Sequence, residues 1–368
     1  MVTINHQAYT ILSLICISGE MDADTIYNIN ISSKKYIGRI ITQLRDAGFI
    51  KLHTGNGLRG YRVTIKGKKQ LLSNNHERFS YALEENAETN RVKSELRRRI
   101  RLQRIAEIIV LMNNVHVKTF RDEKAKLFYP GDKEQILDLY PYTAFYTSRE
   151  YKDIGGEIAK MRNARAAGLF ITKTDAYMIY NTGDSRMKWN TSSELRAKSI
   201  LRHYLAYDMQ VKSFKGREIG AVLFGKNMSL ATELMDNTNK NYFMIDGTFE
   251  NFFYFTLDKN GEILTRILSN EKMRKSLNAS LLHNLGPSDK NRLFEHDAFL
   301  EGKPVLLNYF CDLPKLARFN SALSLQEIQG IIICFDFQEE FMSGYCSSNI
   351  SFQTIKMNKF KGSDLYKY

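Results

Sequence analysis

The chain has few of the residues that mark metal-bound, disulfide-bonded or membrane-spanning proteins. Its four cysteines (Cys16, Cys311, Cys334 and Cys346) are scattered, and no Cys-x-x-Cys pair occurs. This argues against a zinc knuckle or a disulfide framework and predicts reduced thiols in a cytoplasmic protein. The apolar run Tyr9–Ile17 lacks a basic leader and a cleavage site, so a signal peptide is not expected. No apolar run approaches the ~20 residues of a membrane span, so no membrane partner is expected.

Several motifs of nucleotide-driven and catalytic proteins are also missing. The sequence contains no Gly-x4-Gly-Lys-Ser/Thr phosphate loop, no Gly-x-Gly-x-x-Gly that joins a strand to a helix, and no Gly-x-Ser-x-Gly elbow. A nucleotide-driven motor and a dinucleotide enzyme are therefore not expected. The seven histidines show neither metal-ligand spacing nor the triad of a common relaxase. No metal and no cofactor is predicted.

The positive charge of the chain is concentrated near its N-terminus. The formal net charge is +13, and residues 1–75 contain 10 Lys and Arg against 4 Asp and Glu. Residues 118–368 contain 35 against 30, which is nearly balanced for a segment of that length. An excess of basic residues favours a polyanionic partner. A nucleic-acid interface is therefore expected within residues 1–75.

Residues 1–75 predict a winged helix-turn-helix domain. A first helix ends at Gly19, Asp22 begins a short second helix, and Ser32 or Ser33 caps a third helix that runs to Ala47. The third helix has an apolar stripe at i, i+3, i+4 and i+7, formed by Ile37, Ile40, Ile41 and Leu44. Two alternating strands, Phe49–His53 and Tyr61–Ile65, then flank a glycine-rich turn, which predicts a hairpin.

The third helix and the hairpin supply the candidate contacts to double-stranded DNA. Because the apolar stripe faces the core, the polar residues lie on the outer and N-terminal faces, which lead into the major groove in such domains. The hairpin carries Arg59 at its tip, with Lys51 and Arg62 expected on its outward side. The predicted DNA-binding residues are Ser33, Lys34, Lys35, Tyr36, Arg39, Gln43, Lys51, Arg59 and Arg62. A winged helix that mediates only protein contacts is the alternative, but the basic helix and basic hairpin together favour DNA.

Two resemblances extend this interpretation. Residues Ile40–Ile50, followed by Tyr61–Gly67, resemble bacterial winged-helix DNA-binding domains, a fold shared by many regulators. The whole chain is similar to replication-relaxation proteins of plasmids and conjugative elements in Gram-positive bacteria. That resemblance is carried by Phe145–Glu150, Arg165–Leu169, Tyr180–Gly183 and Met187–Trp189. It implies an N-terminal winged helix joined to an α/β domain of nuclease-like fold, often without nuclease activity, and it assigns no catalytic residue.

Residues 76–117 predict a basic helical connector. No glycine or proline occurs from Ser73 to Tyr129, and Arg91–Arg104 contains seven Lys or Arg and one Glu. Two interpretations stay open. The helix lies over DNA that flanks the hairpin, or it is a solvated connector that pairs with its copy in a homodimer.

Residues 118–368 predict an α/β domain, because strand and helix patterns alternate. The expected strands are Thr143–Thr147, Ala167–Thr172, Tyr177–Asn181, Ile219–Phe224, Tyr242–Ile245, Phe252–Leu257, Val305–Phe310 and Gly330–Phe335. The expected helices are Ile154–Arg165, Ser192–Tyr207, Ser229–Asp236, Glu271–Leu285 and Leu313–Leu323.

A metal-dependent nuclease would need clustered carboxylates and a nearby lysine. Two Glu-x-Lys triplets occur, at Glu150 and at Glu301, and Asp138 and Asp297 are the other conceivable ligands. The residues after Glu150 indicate a helix start, so its carboxylate is expected to serve that helix rather than a metal.

The predicted function is therefore sequence-specific binding of double-stranded DNA, as an accessory or regulatory factor of plasmid replication or conjugative transfer. A homodimer, a relaxase or another protein of the mobile element is the expected protein partner. The alternatives are a transcription regulator with a C-terminal ligand- or partner-binding domain, and a metal-dependent nuclease.

Overall fold

A computed structural model describes residues 5–84, 86–128, 143–152, 154, 161, 164–208, 214, 216–288 and 294–367. Within these residues the chain is a mixed α and β protein with three sheets. No helix in this part of the chain is long and apolar enough to cross a lipid bilayer. The four cysteines are unpaired thiols.

The N-terminal region is built around one small antiparallel sheet. Its elements are α1 (His6–Ser18), β1 (Met21–Asp22), a 3-10 turn (Thr25–Asn28), α2 (Lys34–Asp46), β2 (Ile50–Gly55), β3 (Leu58–Val63) and α3 (Ile65–Asn74). The sheet order is β1-β3-β2. The predicted signals act as expected: Gly19 ends α1, and the Ser33 hydroxyl accepts from Tyr36 N at 3.3 Å to cap α2. The pairing of β1 with β3 was not predicted, because two residues carry no strand pattern.

The predicted connector is not one long helix. Helix α4 (His76–Leu83) and helix α5 (Leu96–Asn114) are separated by residues 84–95, although no glycine or proline interrupts them. Tertiary hydrogen bonds hold the described part of this break. Thr89 Oγ1 donates to Ala82 O at 2.6 Å, and Lys68 Nζ donates to Asn90 O at 2.7 Å. Side-chain bonds to the backbone thus override the helical propensity of the segment.

Helix α5 packs against both the N-terminal helices and the C-terminal sheets. Its second half is buried on nearly every side, including Ile105, Ala106, Ile109 and Met112. These side chains belong to a core that runs from α1 into the C-terminal sheets. The helix therefore does not bridge two domains through solvent. Leu96, at the start of the helix, is by contrast 43% exposed.

The C-terminal region contains two five-stranded sheets. The first has the order β4 (Ala144–Thr147), β5 (Gly168–Ile171), β6 (Ala176–Gly183), β7 (Gly220–Gly225) and β8 (Phe252–Thr256), antiparallel up to β6 and parallel from β6 to β8. The second has the order β13 (Ile350–Ile355), β12 (Gly330–Phe335), β11 (Lys303–Leu307), β10 (Ala298–Leu300) and β9 (Gly286–Pro287). Strands β11 to β13 are parallel. A bond of 3.0 Å from Tyr254 N to Cys311 O joins β8 to the segment that follows β11.

The helices of this region are α6 (Ser148–Tyr151), α7 (Thr191–His203), α8 (Ser229–Met235), α9 (Lys259–Ser269), α10 (Glu271–Leu282), α11 (Leu313–Gln326), α12 (Glu339–Tyr345) and α13 (Met357–Gly362). The alternation that predicted an α/β region is thus present, although antiparallel strands make it a mixed arrangement. Most of the expected helix Ile154–Arg165 lies outside the described residues, and residues 164–166 are not helical.

Two further predictions differ from the structure. Tyr242–Ile245 is not a strand, because Tyr242 makes only an isolated bridge to Lys188. Helix α9 was missed, because the pair Asn260-Gly261 is typical of a turn. Gly261 is instead required by packing: a β-carbon there would lie 1.8 Å from Thr256 O. The residue that resembled a turn signal is a site of close approach between a helix and the preceding strand.

Candidate nucleic-acid interface

Helix α2 presents a polar face to solvent. Ile37, Ile40, Ile41 and Leu44 are buried, as the apolar stripe predicted. The predicted contact residues of this helix and its cap, Ser33, Lys34, Lys35, Tyr36, Arg39 and Gln43, are all exposed. Lys35, Arg39 and Gln43 follow one another at intervals of four and so lie on one side of the helix. None of the three makes an ion pair with a residue that the structure describes.

The hairpin of β2 and β3 divides its basic residues between two faces. Lys51 is directly across from Arg62, and Thr54 is directly across from Arg59. Residues directly across an antiparallel pair share a face, and successive residues alternate. Arg59 therefore lies on the face of buried Ile50 and Val63, whereas Lys51 lies on the opposite face. Both side chains are exposed, but they project from opposite faces of the hairpin.

Arg62 does not project outward, so that expectation is wrong. Its guanidinium Nη2 lies 2.6 Å from Glu20 Oε2, and Nε donates to the same oxygen at 2.7 Å. The side chain is 11% exposed and the carboxylate is fully buried. Arg62 is thus an internal counter-ion. The sequence pattern could not show this, because its partner is 42 residues away.

Glu20 also binds the fully buried Arg99 of α5. Arg99 Nη2 donates to Glu20 Oε1 at 2.8 Å, and Gln103 Nε2 donates to the same oxygen at 2.8 Å. Burial alone would raise the pKa of the Glu20 carboxyl, but the bonds from Arg99 and Arg62 hold this pKa below its usual value. The carboxylate is therefore ionised at neutral pH and is the counter-ion that two arginines share.

Arg99 fixes the hairpin as well. Its guanidinium donates to the carbonyls of His53 at 3.2 Å, Gly55 at 2.5 Å and Leu58 at 3.3 Å. Gly60 completes this contact, because a β-carbon there would lie 2.6 Å from Glu20 Oε1. The predicted basic helix therefore holds the hairpin in place through an interior arginine.

A basic cleft lies on another side of α5. It has a volume of about 760 Å³ and is bounded by α5, the residues before β5 and the loop after β6. Six basic side chains line it: Arg97, Arg101, Arg104, Arg165, Arg186 and Lys188. Among the described residues, the acidic side chains that line it are Asp184 and Glu233. The cleft was not predicted as a whole, because its basic residues come from three separate segments.

The charges of this cleft are only partly compensated. Arg101 pairs with Glu88, whereas Arg186 lies over the Tyr242 ring, 5.1 Å from its centroid. Arg97 makes no ion pair within the described part of the chain. Arg104 donates to Ser185 Oγ at 3.2 Å, and burial lowers its pKa although Glu107 and Asp184 act in the opposite direction. An anion in the cleft would find guanidinium donors that no described residue uses.

One acidic group, Glu107, lies behind the lining of the cleft. Asn181 lines the cleft, and its Nδ2 donates to Glu107 Oε2 at 2.7 Å and to Arg104 O at 2.8 Å. Burial raises the pKa of the Glu107 carboxyl, and the Asn181 bond and the Arg104 charge offset part of that rise. This carboxylate is turned into the protein and held by an amide.

The two Glu-x-Lys triplets occupy different positions. Glu150 forms a capping box with Thr147 at the start of α6, as the helix-start interpretation predicted, and it lies 2.9 Å from the buried Lys124 Nζ. Glu301 is exposed in the turn between β10 and β11. Asp297 lies 3.3 Å from Lys315 Nζ, and Asp138 lies outside the described residues. The described residues contain no group of three His, Cys, Asp or Glu that could hold a metal ion.

Comparison with known proteins does not add a family to these observations. No family model, no curated protein and no solved structure matches the chain. Its function is therefore argued from the geometry of α2, the hairpin and the cleft.

Proposed function

We propose that residues 1–75 form a winged helix-turn-helix that binds double-stranded DNA through α2. The supporting observation is the exposed row of Lys35, Arg39 and Gln43, which lacks ion-pair partners among the described residues and projects from a helix whose other side is buried. Lysine and arginine bind phosphates and guanine edges, and glutamine can bind adenine, so the row suits a major groove. Arg59 on the hairpin would contact the neighbouring phosphates.

The proposed interface is smaller than the sequence pattern indicated. Arg62 is excluded from it, because its guanidinium is committed to Glu20. Lys51 is left aside as well, since it lies on the opposite hairpin face from Arg59. The remaining set is Ser33, Lys34, Lys35, Tyr36, Arg39, Gln43 and Arg59. Ser33 contributes mainly as the cap that begins α2.

We further propose that the protein is an accessory or regulatory factor of plasmid replication or conjugative transfer, which acts as a homodimer or beside a relaxase. This rests on the resemblance to replication-relaxation proteins and on the continuous core that ties the N-terminal helices to a large C-terminal region. A neighbouring relaxase or coupling-ATPase gene would support this role. If the protein, when bound at its site, represses an adjacent gene that has no role in replication or transfer, the transcription-regulator alternative is supported instead.

The test of DNA binding is selection of duplexes from a random-sequence library with the full chain. We expect a shared sequence among the selected duplexes. The ratio of protein to duplex at saturation then reports whether one copy of the chain or two is bound. Recovery of unrelated sequences that bind no better than the starting library would contradict sequence-specific binding.

A further inference from the structure

We propose that the basic cleft beside α5 is a second DNA contact, which binds the phosphate backbone of the segment that flanks the site held by α2. This inference rests on the proposed function, and it adds a contact surface that α2 and the hairpin do not contain. It also predicts where the flanking DNA runs: along the N-terminal half of α5 and on toward the loop after β6.

The first support is the arrangement of charge along the helix. Arg97, Arg101 and Arg104 line the same cleft, and from the first to the last the helix rises about 10 Å. The phosphates of one duplex strand are spaced about 3.4 Å apart along the DNA axis, so such a row spans several of them. Arg186 and Lys188 extend the positive surface beyond the helix.

The second support is the connection between the cleft and the hairpin. Asn56, at the hairpin tip, donates through Nδ2 to Ser94 O at 3.3 Å. Ser94 is three residues before Arg97 and precedes the start of α5, so the basic row begins close to the tip that carries Arg59. A DNA backbone that leaves the hairpin meets Arg97 next.

The third support is rigidity. Arg99 is on the same helix as the cleft arginines, and its bonds to Glu20 and to three hairpin carbonyls fix α5 against the hairpin. The cleft and the hairpin therefore keep one relative position before any DNA binds. Such preorganisation lowers the entropic cost of a second contact.

The test uses the full chain and a selected duplex in two lengths. One duplex is trimmed to the shortest form that is still bound, and the other is extended on either side by two helical turns, about 20 base pairs. The cleft variant is Arg97→Gln with Arg186→Gln, because both side chains are exposed and neither has a carboxylate partner among the described residues. The matched control is Arg196→Gln with Lys359→Gln, two exposed cations outside the cleft.

We expect the parent to bind the extended duplex more tightly and with a steeper dependence of log Kd on log salt. The cleft variant should reduce that slope by about two units, near 0.9 for each phosphate that is no longer bound, and leave the trimmed duplex unaffected. The control variant should behave as the parent on both duplexes. The inference would be overturned if the parent bound the extended duplex no more tightly than the trimmed one. It would also be overturned if the cleft variant lost the same affinity for both duplexes.

Two further measurements distinguish a failure of this inference from a failure of the proposed function on which it rests. The cleft variant is also measured on a long duplex of random sequence at low salt, in the parent and in a Lys35→Ala/Arg39→Ala background. A loss in both backgrounds supports the cleft even if α2 proves not to read DNA. Competition by a mononucleotide or inorganic phosphate, without any effect of duplex length, would make the cleft a small-ligand pocket and overturn its assignment to DNA.

Discussion

Arg99 and Glu20 form a fully buried ion pair, with 2.8 Å between Nη2 and Oε1, that joins α5 to the first turn after α1. The two residues are separated by 79 positions. Because Arg62 shares the carboxylate and Arg99 also bonds the hairpin carbonyls, this one acidic group organises the base of the proposed DNA-binding surface. The contacts of Glu20 explain why Arg99, which belongs to the strongly basic segment Arg91–Arg104, lies in the interior.

Glu20→Gln is expected to lower the free energy of unfolding by about 3–5 kcal/mol, since it leaves two buried arginines without a counter-charge. Urea denaturation of the full chain measures this change. Glu95→Gln is the control, because its pair with Arg98 is exposed and should contribute less than about 1 kcal/mol. Equal losses in the two variants would contradict the central role of Glu20.

Lys35→Ala with Arg39→Ala is expected to weaken binding of the selected duplex by about 1–3 kcal/mol for each base that the variant no longer binds. Fluorescence anisotropy across a salt titration gives the affinity. Arg45→Ala is the matched control, because Arg45 is exposed in the last turn of the same helix and lies beside Asp46. If the double variant binds as the parent does, α2 is not the reading helix.

Arg59→Ala is expected to weaken specific and random duplexes alike, and to reduce the salt slope by about one unit. The reason is that a phosphate contact carries no base information. Lys51→Ala, on the opposite face of the hairpin, should leave both affinities nearly unchanged. A loss confined to the selected sequence would instead assign Arg59 to a base edge.

Asp312 predicts a particular pH dependence of stability. Burial raises the pKa of its carboxyl to about 6, although bonds from Phe252 N and Lys315 N and the charges of Lys315 and Arg318 partly counteract this. Between about pH 4 and pH 6, the Asp312 carboxyl therefore stays protonated in the folded state. In the unfolded state, where its pKa is near 3.9, it has lost that proton. The unfolding free energy gains up to about 3 kcal/mol from this group as pH falls from 7 to 4.

Asp312→Asn should remove that gain, because the amide does not titrate. Urea denaturation at several pH values compares the variant with the parent and with Asp24→Asn, which changes an exposed carboxylate. A variant that keeps the full pH dependence of the parent would show that another group causes it.

The last prediction concerns cleavage of DNA. We expect no nicking of supercoiled plasmid with Mg²⁺ or Mn²⁺ at protein excess, because Glu150 is committed to Lys124 and to the Thr147 capping box. Glu150→Gln should instead lower stability, whereas Glu301→Gln, in an exposed turn, should change little. Nicking by the parent that disappears in either variant would revive the nuclease alternative.

Local sequence patterns predicted the buried side of α2 and the residue at which this helix begins. A stripe of four apolar residues and a serine cap are contained within one helix, so their pattern predicts which side is buried and where the helix begins. The same holds for β12, whose uninterrupted apolar run from Gly330 to Phe335 is the strand that the structure contains.

Which basic residues are available to a partner depends instead on long-range contacts in the folded chain. Arg62 and Arg97 are both arginines in basic surroundings, but one is neutralised by a glutamate far along the chain and the other lines an open cleft. Ion pairs of this kind depend on contacts across dozens of residues, which no local pattern encodes. The split of the predicted connector into α4 and α5 also depends on a contact between distant residues, since Lys68 Nζ donates to Asn90 O, 22 residues along the chain.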